Sequence, residues 1–378
     1  MPMNYAFYCS VSDYCKMDFT LRLLQWYKNN HRNLPWRDTT DPYKIWLSEI
    51  ILQQTRIAQG TSYYYRFLEL FPNVNSLCEA SEDKVLGAWQ GLGYYSRARN
   101  LHHTAKIIAS EYNGVFPADY KLLLGLKGIG PYTAAAIASI AFGLPQAAVD
   151  GNVTRVIARY FGIEDPVDDT KIKKTIEEAA AELLPPQQPG NFNQAMMDFG
   201  AIICKPGKPH CNICPFAEEC IARIKGLTSK IPLKTKKVKQ KLRHFHFFLF
   251  YWPENEPEYL LIEKRKGNDI WKNLYQLPLI ETKTPHLEWQ LFEKHPVLSK
   301  FDQQDPNLFI KGTPERFIHQ LTHQRIEAFF YKVSLPPEYY SIFEKDFMKL
   351  RFGDFAHMGK PILITRFLQK NGFVHKDS

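Results

Sequence analysis

The chain lacks several features that would assign it to a class at once. No basic segment followed by an apolar run opens it, so no secretory leader is expected. No stretch reads as a membrane span. The uncharged run Gly128–Val149 is 22 residues long, but it holds Pro131 and Pro145 and is rich in Ala and Gly. A buried core helix fits it better, and no membrane partner is expected. A disulfide framework is also missing. The seven cysteines are odd in number, and Cys204, Cys211, Cys214 and Cys220 crowd into one short stretch. That pattern points to a metal site in a reducing, cytoplasmic setting. Finally, there is no Asp or Glu between Ile221 and Arg243, where nine Lys or Arg stand. The rest of the chain is balanced, at 39 basic against 39 acidic residues, so the whole net charge of +9 comes from this stretch. It reads as a tether beside a polyanion or as a linker kept soluble by lysine.

What is present is ordinary globular material. Of 378 residues, 45% are hydrophobic, 23% charged and 14% aromatic, enough for two or three domains with aromatic-filled cores. Residues 1–16 show no periodicity and read as a disordered extension. Met17 opens an amphipathic helix bearing Phe19, Leu23, Trp26 and Tyr27. From Asp41 to about Ala201 helix follows helix, with breaks at Pro and Gly, and no run alternates as a strand would. This predicts an all-α domain over 17–225. The basic linker occupies 226–241. Beyond it, Phe245–Tyr251, Tyr259–Glu263 and Arg325–Val333 read as strands, and Ser341–Leu350 as a helix. An α+β domain over 242–372 follows.

Three constellations carry chemistry. Cys204, Cys211, Cys214 and Cys220 are spaced C-x6-C-x2-C-x5-C, and Pro206, Pro209 and Pro215 stiffen the 204–220 loop. Four thiolates on one loop select zinc or an iron–sulfur cluster. Residues 124–137, LGLKGIGPYTAAAI, end one helix, turn at Gly128 and Gly130, and begin another. Free amides and a helix N-terminus there can hold a phosphate, although an ordinary turn between helices would look alike. Two carboxylates complete the set. Glu49 shares the apolar stripe of Ile45 and Leu52, where desolvation would raise its pKa and suit it to general acid work. A surface Glu is the plainer alternative. Asp150 precedes Gly151-Asn152 and reads equally as a helix cap. Two carboxylates flanking an anomeric carbon can cleave a glycosidic bond.

The cysteine loop with its basic sequel resembles the [4Fe–4S] loop of endonuclease III-type DNA glycosylases, and the hairpin resembles their helix–hairpin–helix. LPWRDTTDPYKIWLSEIILQQTR (34–56), WQGLGYYSRARNL (89–101) and VDGNVTRV (149–156) resemble the motifs of MutY-type adenine DNA glycosylases, and the whole match spans about 18–225. The resemblance implies a helix–hairpin–helix glycosylase with a [4Fe–4S] cluster, acting as a monomer on duplex DNA with adenine opposite 8-oxoguanine or guanine. It implies that Glu49 protonates the adenine and Asp150 stabilises or traps the sugar cation. Tyr132 and Asn152 would assist. Trp36, Arg37 and Gln194 would form the adenine pocket. Gln54 and Tyr94 would enter the stack. Gly128 and Gly130 would meet the backbone. Tyr132 stands where strand-cutting relatives carry a lysine, which implies a glycosylase without lyase activity. WKNLYQLPLIE (271–281) resembles a Nudix-like domain that lacks the acidic RE-x2-EE helix. Leu321-Thr322-His323 falls at its lesion-reading loop, so Thr322 and His323 would face the oxidised guanine. The alternatives are a bifunctional glycosylase/lyase and a non-catalytic iron–sulfur DNA-binding module.

Overall fold

The computed structural model describes residues 13–235, 240–251, 259–287, 310–334 and 347–374. Two compact units emerge. The first comprises residues 1–79 and 100–236, the second 80–99 and 237–378. The sequence reading placed 80–99 inside one continuous helical domain, whereas these residues pack with the C-terminal part.

The first unit is helical. Its elements are α1 (Asp13–Asn30), α2 (Pro42–Leu52), α3 (Ile57–Leu70) and α4 (Val74–Glu79). After α5 (Glu82–Ala88) of the other unit come α6 (Ser96–Glu111), α7 (Tyr120–Gly125), α8 (Pro131–Phe142), α9 (Gly151–Tyr160), α10 (Thr170–Leu183), α11 (Pro189–Ile202) and the short α12 (Ile221–Ile224). The division between the units falls within the first turn of α6. Helix α1 starts at Asp13, four residues before the expected Met17, and Lys16 pairs with Glu182 at 2.8 Å. Residues 1–12, the rest of the expected extension, lie outside the described residues.

Local chemistry fixes these boundaries. Asp41 caps α2 through the Tyr43 amide, with Pro42 in the first turn. Asp119, Asp150 and Asp169 cap α7, α9 and α10 in the same way. Helix α8 is buried from Thr133 to Ser139, which accounts for the uncharged run. No helix among the described residues is long and apolar enough to cross a membrane. The α7–α8 hairpin turns at Gly128, whose φ of +85° favours glycine, and a Cβ there would come 2.6 Å from Asn100 Cβ. At Gly130 a Cβ would meet nothing within 4 Å, so the approach to the α8 N-terminus stays open.

The second unit is α+β. Strands β1 (Lys241–Tyr251), β4 (Leu279–Thr282), β5 (Ile310–Gln320) and β6 (Gln324–Ser334) form a sheet in the order β4-β1-β6-β5. Strands β1 and β6 run parallel, and the other pairs antiparallel. A smaller sheet has the order β3-β2-β7, from Tyr275–Gln276, Tyr259–Lys264 and Met348–Arg351. Two helices follow, α13 (Phe352–Ala356) and α14 (Ile362–Lys370). Phe367 of α14 stacks on Phe330 of β6 at 4.3 Å. The helix expected over Ser341–Leu350 is corrected at its end, where Met348 and Leu350 lie in a strand paired with Ile262 and Leu260. Its largely exposed side chains offer no helical face, and long-range pairing decides the backbone. Residues 341–346 lie outside the described residues.

Segment 80–99 is bound into this unit by specific contacts. Asp83 accepts from Lys264 and Tyr275, Glu82 from Asn273, and Tyr95 donates to the Lys360 carbonyl. Gly87 lies so close to the His357 carbonyl that a Cβ would stand 2.6 Å from it. Arg243, the last of the nine basic residues in the acid-free stretch, is buried in β1 against Asp269 and Glu281. Lys225 and Arg223 are likewise paired, with Glu164 and Glu218. Residues 236–239 lie outside the described residues.

Candidate active site

A pocket of about 330 Å³ opens in the first unit, lined from α2, the loop after it, α8, the α9 cap and α11. Glu49, Asp150, Tyr132, Asn152, Trp36, Arg37, Gln54 and Gln194 all reach it. A larger concavity of about 650 Å³ lies beside α10, lined by Asp165, Asp168, Asp169, Lys171 and Thr235. It shows no such convergence, because Asp168 binds Thr235 and Asp169 caps the helix.

Glu49 is half-buried on α2, flanked by the buried Ser48 and Ile50. Desolvation pushes its carboxyl up to about 7, and the negative Asp150 adds to the shift; a Tyr132 hydrogen bond and the positive Arg37 oppose it. Burial also raises Tyr132 well above the ordinary phenol value, so it stays protonated. Its hydroxyl lies 3.5 Å from the Met197 sulfur.

Asp150 both caps α9 and lines the pocket. One oxygen caps α9 by accepting from the Asn152 and Val153 amides, each at 2.8 Å. The other accepts from Asn152 Nδ2 at 2.7 Å. Burial raises its pKa and these hydrogen bonds restrain the rise. Asn152 Oδ1 in turn accepts from Arg155, which also donates to the Gly200 and Cys204 carbonyls. Gly200 permits this, since a Cβ there would lie 2.7 Å from Asn152 Cβ. Replacing Arg155 by Met removes the donor that Asn152 Oδ1 and the buried Gly200 carbonyl share. The expected cost is about 2–4 kcal/mol of stability and, through a displaced Asp150, roughly 10–100-fold in single-turnover rate. Thermal unfolding and excision kinetics check both.

A second network was not read from the sequence. Asp198, fully buried in α11, accepts from the Arg32 amide and guanidinium and from both Arg37 Nη atoms. Arg37 Nη1 also donates to Tyr27 Oη at 2.9 Å, and Tyr27 donates to Gln194 Oε1 at 2.8 Å. The available signal was that Asp198 is the one charged residue of α11. Trp36 is buried edge-on to Tyr64, and Gln54 has a left-handed φ of 56°.

Cys204, Cys211, Cys214 and Cys220 are free thiols close enough to influence one another. Burial pushes Cys214 up to about 12 and raises Cys204 and Cys220. Arg159, itself buried, donates to Cys204 Sγ at 3.4 Å and to the Lys205 and Ile231 carbonyls. Among the described residues no three His, Cys, Asp or Glu side chains are grouped to hold a single metal ion.

Tyr94, Thr322 and His323 belong to the second unit. Tyr94 is exposed at a φ of 48°, and its hydroxyl is hydrogen bonded to Thr322 Oγ1 at 2.6 Å. Arg97 lies over the Tyr94 and Trp89 rings. The His323 carbonyl accepts from the Lys241 amide, and its side chain is exposed.

Residues 47–186 match the profile of the HhH-GPD superfamily of base excision DNA repair proteins. A thermostable thymine-DNA glycosylase structure is 32% identical, with a TM-score of 0.51 over 56% of this chain and 97% of that one. Fold and pocket therefore define a helix–hairpin–helix DNA glycosylase. An adenine DNA glycosylase of Buchnera aphidicola (subsp. Acyrthosiphon pisum) is 39% identical over 72% of this chain and 77% of its own. That of Schizosaccharomyces pombe is 29% identical over 90% of this chain and 86% of its own. The chain belongs to the adenine DNA glycosylase family, enzymes that hydrolyse N-glycosyl bonds in base excision repair.

Proposed function

We propose that this enzyme removes adenine opposite 8-oxoguanine or guanine from duplex DNA and leaves an abasic site. The observation that carries the reading is the pairing of two unlike carboxyls in one pocket. Glu49 is held near neutrality as an acid by desolvation, while Asp150 is held by amides and Asn152. In the reaction Glu49 gives its proton to the leaving base. Asp150 stabilises the oxocarbenium-like sugar, or bonds to it, until water adds. Asn152 fixes the Asp150 oxygen that faces the reaction. Tyr132 holds Glu49 and supplies no amine nucleophile, so strand cleavage is not part of the chemistry. The target base leaves the stack to enter the pocket, with Gln54 and Tyr94 filling the duplex. Gly128 and Gly130 hold a phosphate at the α8 N-terminus.

The four cysteines fit a [4Fe–4S] group, as unpaired converging thiols with Arg159 and Arg155 charge beside them. When bound, such a cluster fixes the fold of the loop. Iron and acid-labile sulfide content of the purified protein checks this, with Cys214→Ser expected to lose both. The second unit is read as a Nudix-like lesion reader, and the enzyme as a cytoplasmic monomer.

The test is single-turnover excision from a duplex with adenine opposite 8-oxoguanine. Breaks only after alkali support the reading, and breaks without alkali support a lyase. Binding with no product at all would make the chain a non-catalytic module. Within the reader, Thr322→Ala is expected to lower the preference for 8-oxoguanine over guanine by about tenfold, the worth of one hydrogen bond. The ratio of the two excision rates measures it. Point substitution is the sounder test than truncation, because removing the C-terminal part would also strip segment 80–99 of its partners.

A further inference from the structure

We propose that Tyr27 is a positioning residue that locks the Gln194 amide in one orientation, and that this lock makes the pocket accept 6-aminopurines and reject 6-oxopurines. The inference rests on the reading of the pocket as the adenine site.

Donors and acceptors decide how the amide sits. A glutamine amide presents one acceptor end and one donor end, and turning it over exchanges them. In this pocket the Tyr27 proton favours one of the two orientations. The Asp198 carboxylate is fully buried and holds Arg37 through both Nη atoms. Arg37 Nη1 then donates to Tyr27 Oη. An arginine has no acceptor, so the Tyr27 proton must go elsewhere. It goes to Gln194 Oε1, 2.8 Å away, which holds the amide with its oxygen toward Tyr27. Burial raises the Tyr27 hydroxyl above the ordinary phenol value, so that proton is retained. Gln194 is 8% exposed and lines the pocket; with Oε1 engaged by Tyr27, Nε2 is the donor end the amide has left to offer. The Oε1 keeps a second lone pair beside it.

The resulting edge offers one donor and one acceptor in a fixed order. Adenine matches it with a ring nitrogen and its exocyclic amine, as side-chain amides match adenine elsewhere. A 6-oxopurine carries a carbonyl where adenine has the amine, and its N1 bears a proton. It would need the amide turned over, which would take from the Tyr27 proton its Gln194 acceptor. Buried groups left unpaired in this way are the strongest source of discrimination that a pocket has.

The experiment compares single-turnover excision of adenine and of hypoxanthine, each opposite 8-oxoguanine. Wild-type protein should prefer adenine. Tyr27→Phe, which removes one oxygen and keeps the ring, should reduce the adenine-to-hypoxanthine ratio by about tenfold or more. Gln194→Ala should do the same, and the double variant should go no further. In a Gln194→Glu background Tyr27→Phe should leave the ratio unchanged, because a carboxylate has no second orientation. An unchanged ratio in Tyr27→Phe overturns the proposal, as does an equal loss on both substrates, which would mark Tyr27 as merely structural. If wild-type protein excises no adenine at all, it is the reading of the pocket that fails.

Discussion

Glu49→Gln is expected to lower the rate of adenine excision by about 10²–10⁴-fold, the range for a lost general acid, while binding to the mispaired duplex persists. Glutamine keeps the shape and the hydrogen-bonding capacity but has no proton to give. The same carboxyl sets the pH dependence. Its folded pKa of about 7 lies above the ordinary 4.5, so the acid form is present below neutrality. The wild-type rate should fall as pH rises through about 7, and the variant should show no such limb. The linkage for stability runs the same way. The raised pKa favours the folded state fully below about 4.5, and this contribution is lost as pH rises through about 7. Glu49→Gln should therefore melt at or above the wild-type temperature at pH 8. A clearly lower melting temperature there would mean that the buried carboxylate has a partner that compensates it.

Asp150→Asn is expected to cost excision about 10²–10³-fold, the scale on which one preorganised electrostatic contact acts. Asparagine caps a helix about as well as aspartate, so α9 should survive. The Asn152 and Val153 amides keep an acceptor, while the negative charge and the acceptor for Asn152 Nδ2 are lost. Thermal stability close to wild type together with a collapsed rate would separate the chemistry of Asp150 from its cap. If stability falls in step with the rate, the cap accounts for the defect instead.

Much of this site was legible because its parts are local. Asp41-Pro42 announces α2, and the spacing of Ile45, Glu49 and Leu52 places Glu49 on an apolar stripe. Gly128 and Gly130 mark the hairpin, and Asp150 before Gly-Asn marks a cap. What could not be read is what depends on distant partners. Nothing near Asp198 in sequence says that it gathers Arg32 and Arg37 from before α2. Nothing near Tyr27 says that it shares a hydroxyl between Arg37 and Gln194. The same holds for backbone. Strand β7 is a strand because Tyr259–Ile262 pairs with it, whatever its local pattern. Segment 80–99 is another case, since its buried Val85, Leu86 and Trp89 announce a core without saying which one.

The crossing of that segment into the second unit also sets an order in time. Residues 80–99 leave the ribosome before the strands and helices that bury them. At roughly 5–20 residues per second, synthesis of the remaining chain takes on the order of tens of seconds. Until residues 359 and 360 are made, the contacts of Leu86 with Gly359 and of Tyr95 with Lys360 cannot form. The newborn chain thus carries in its middle a segment that only its last-made residues can finish packing.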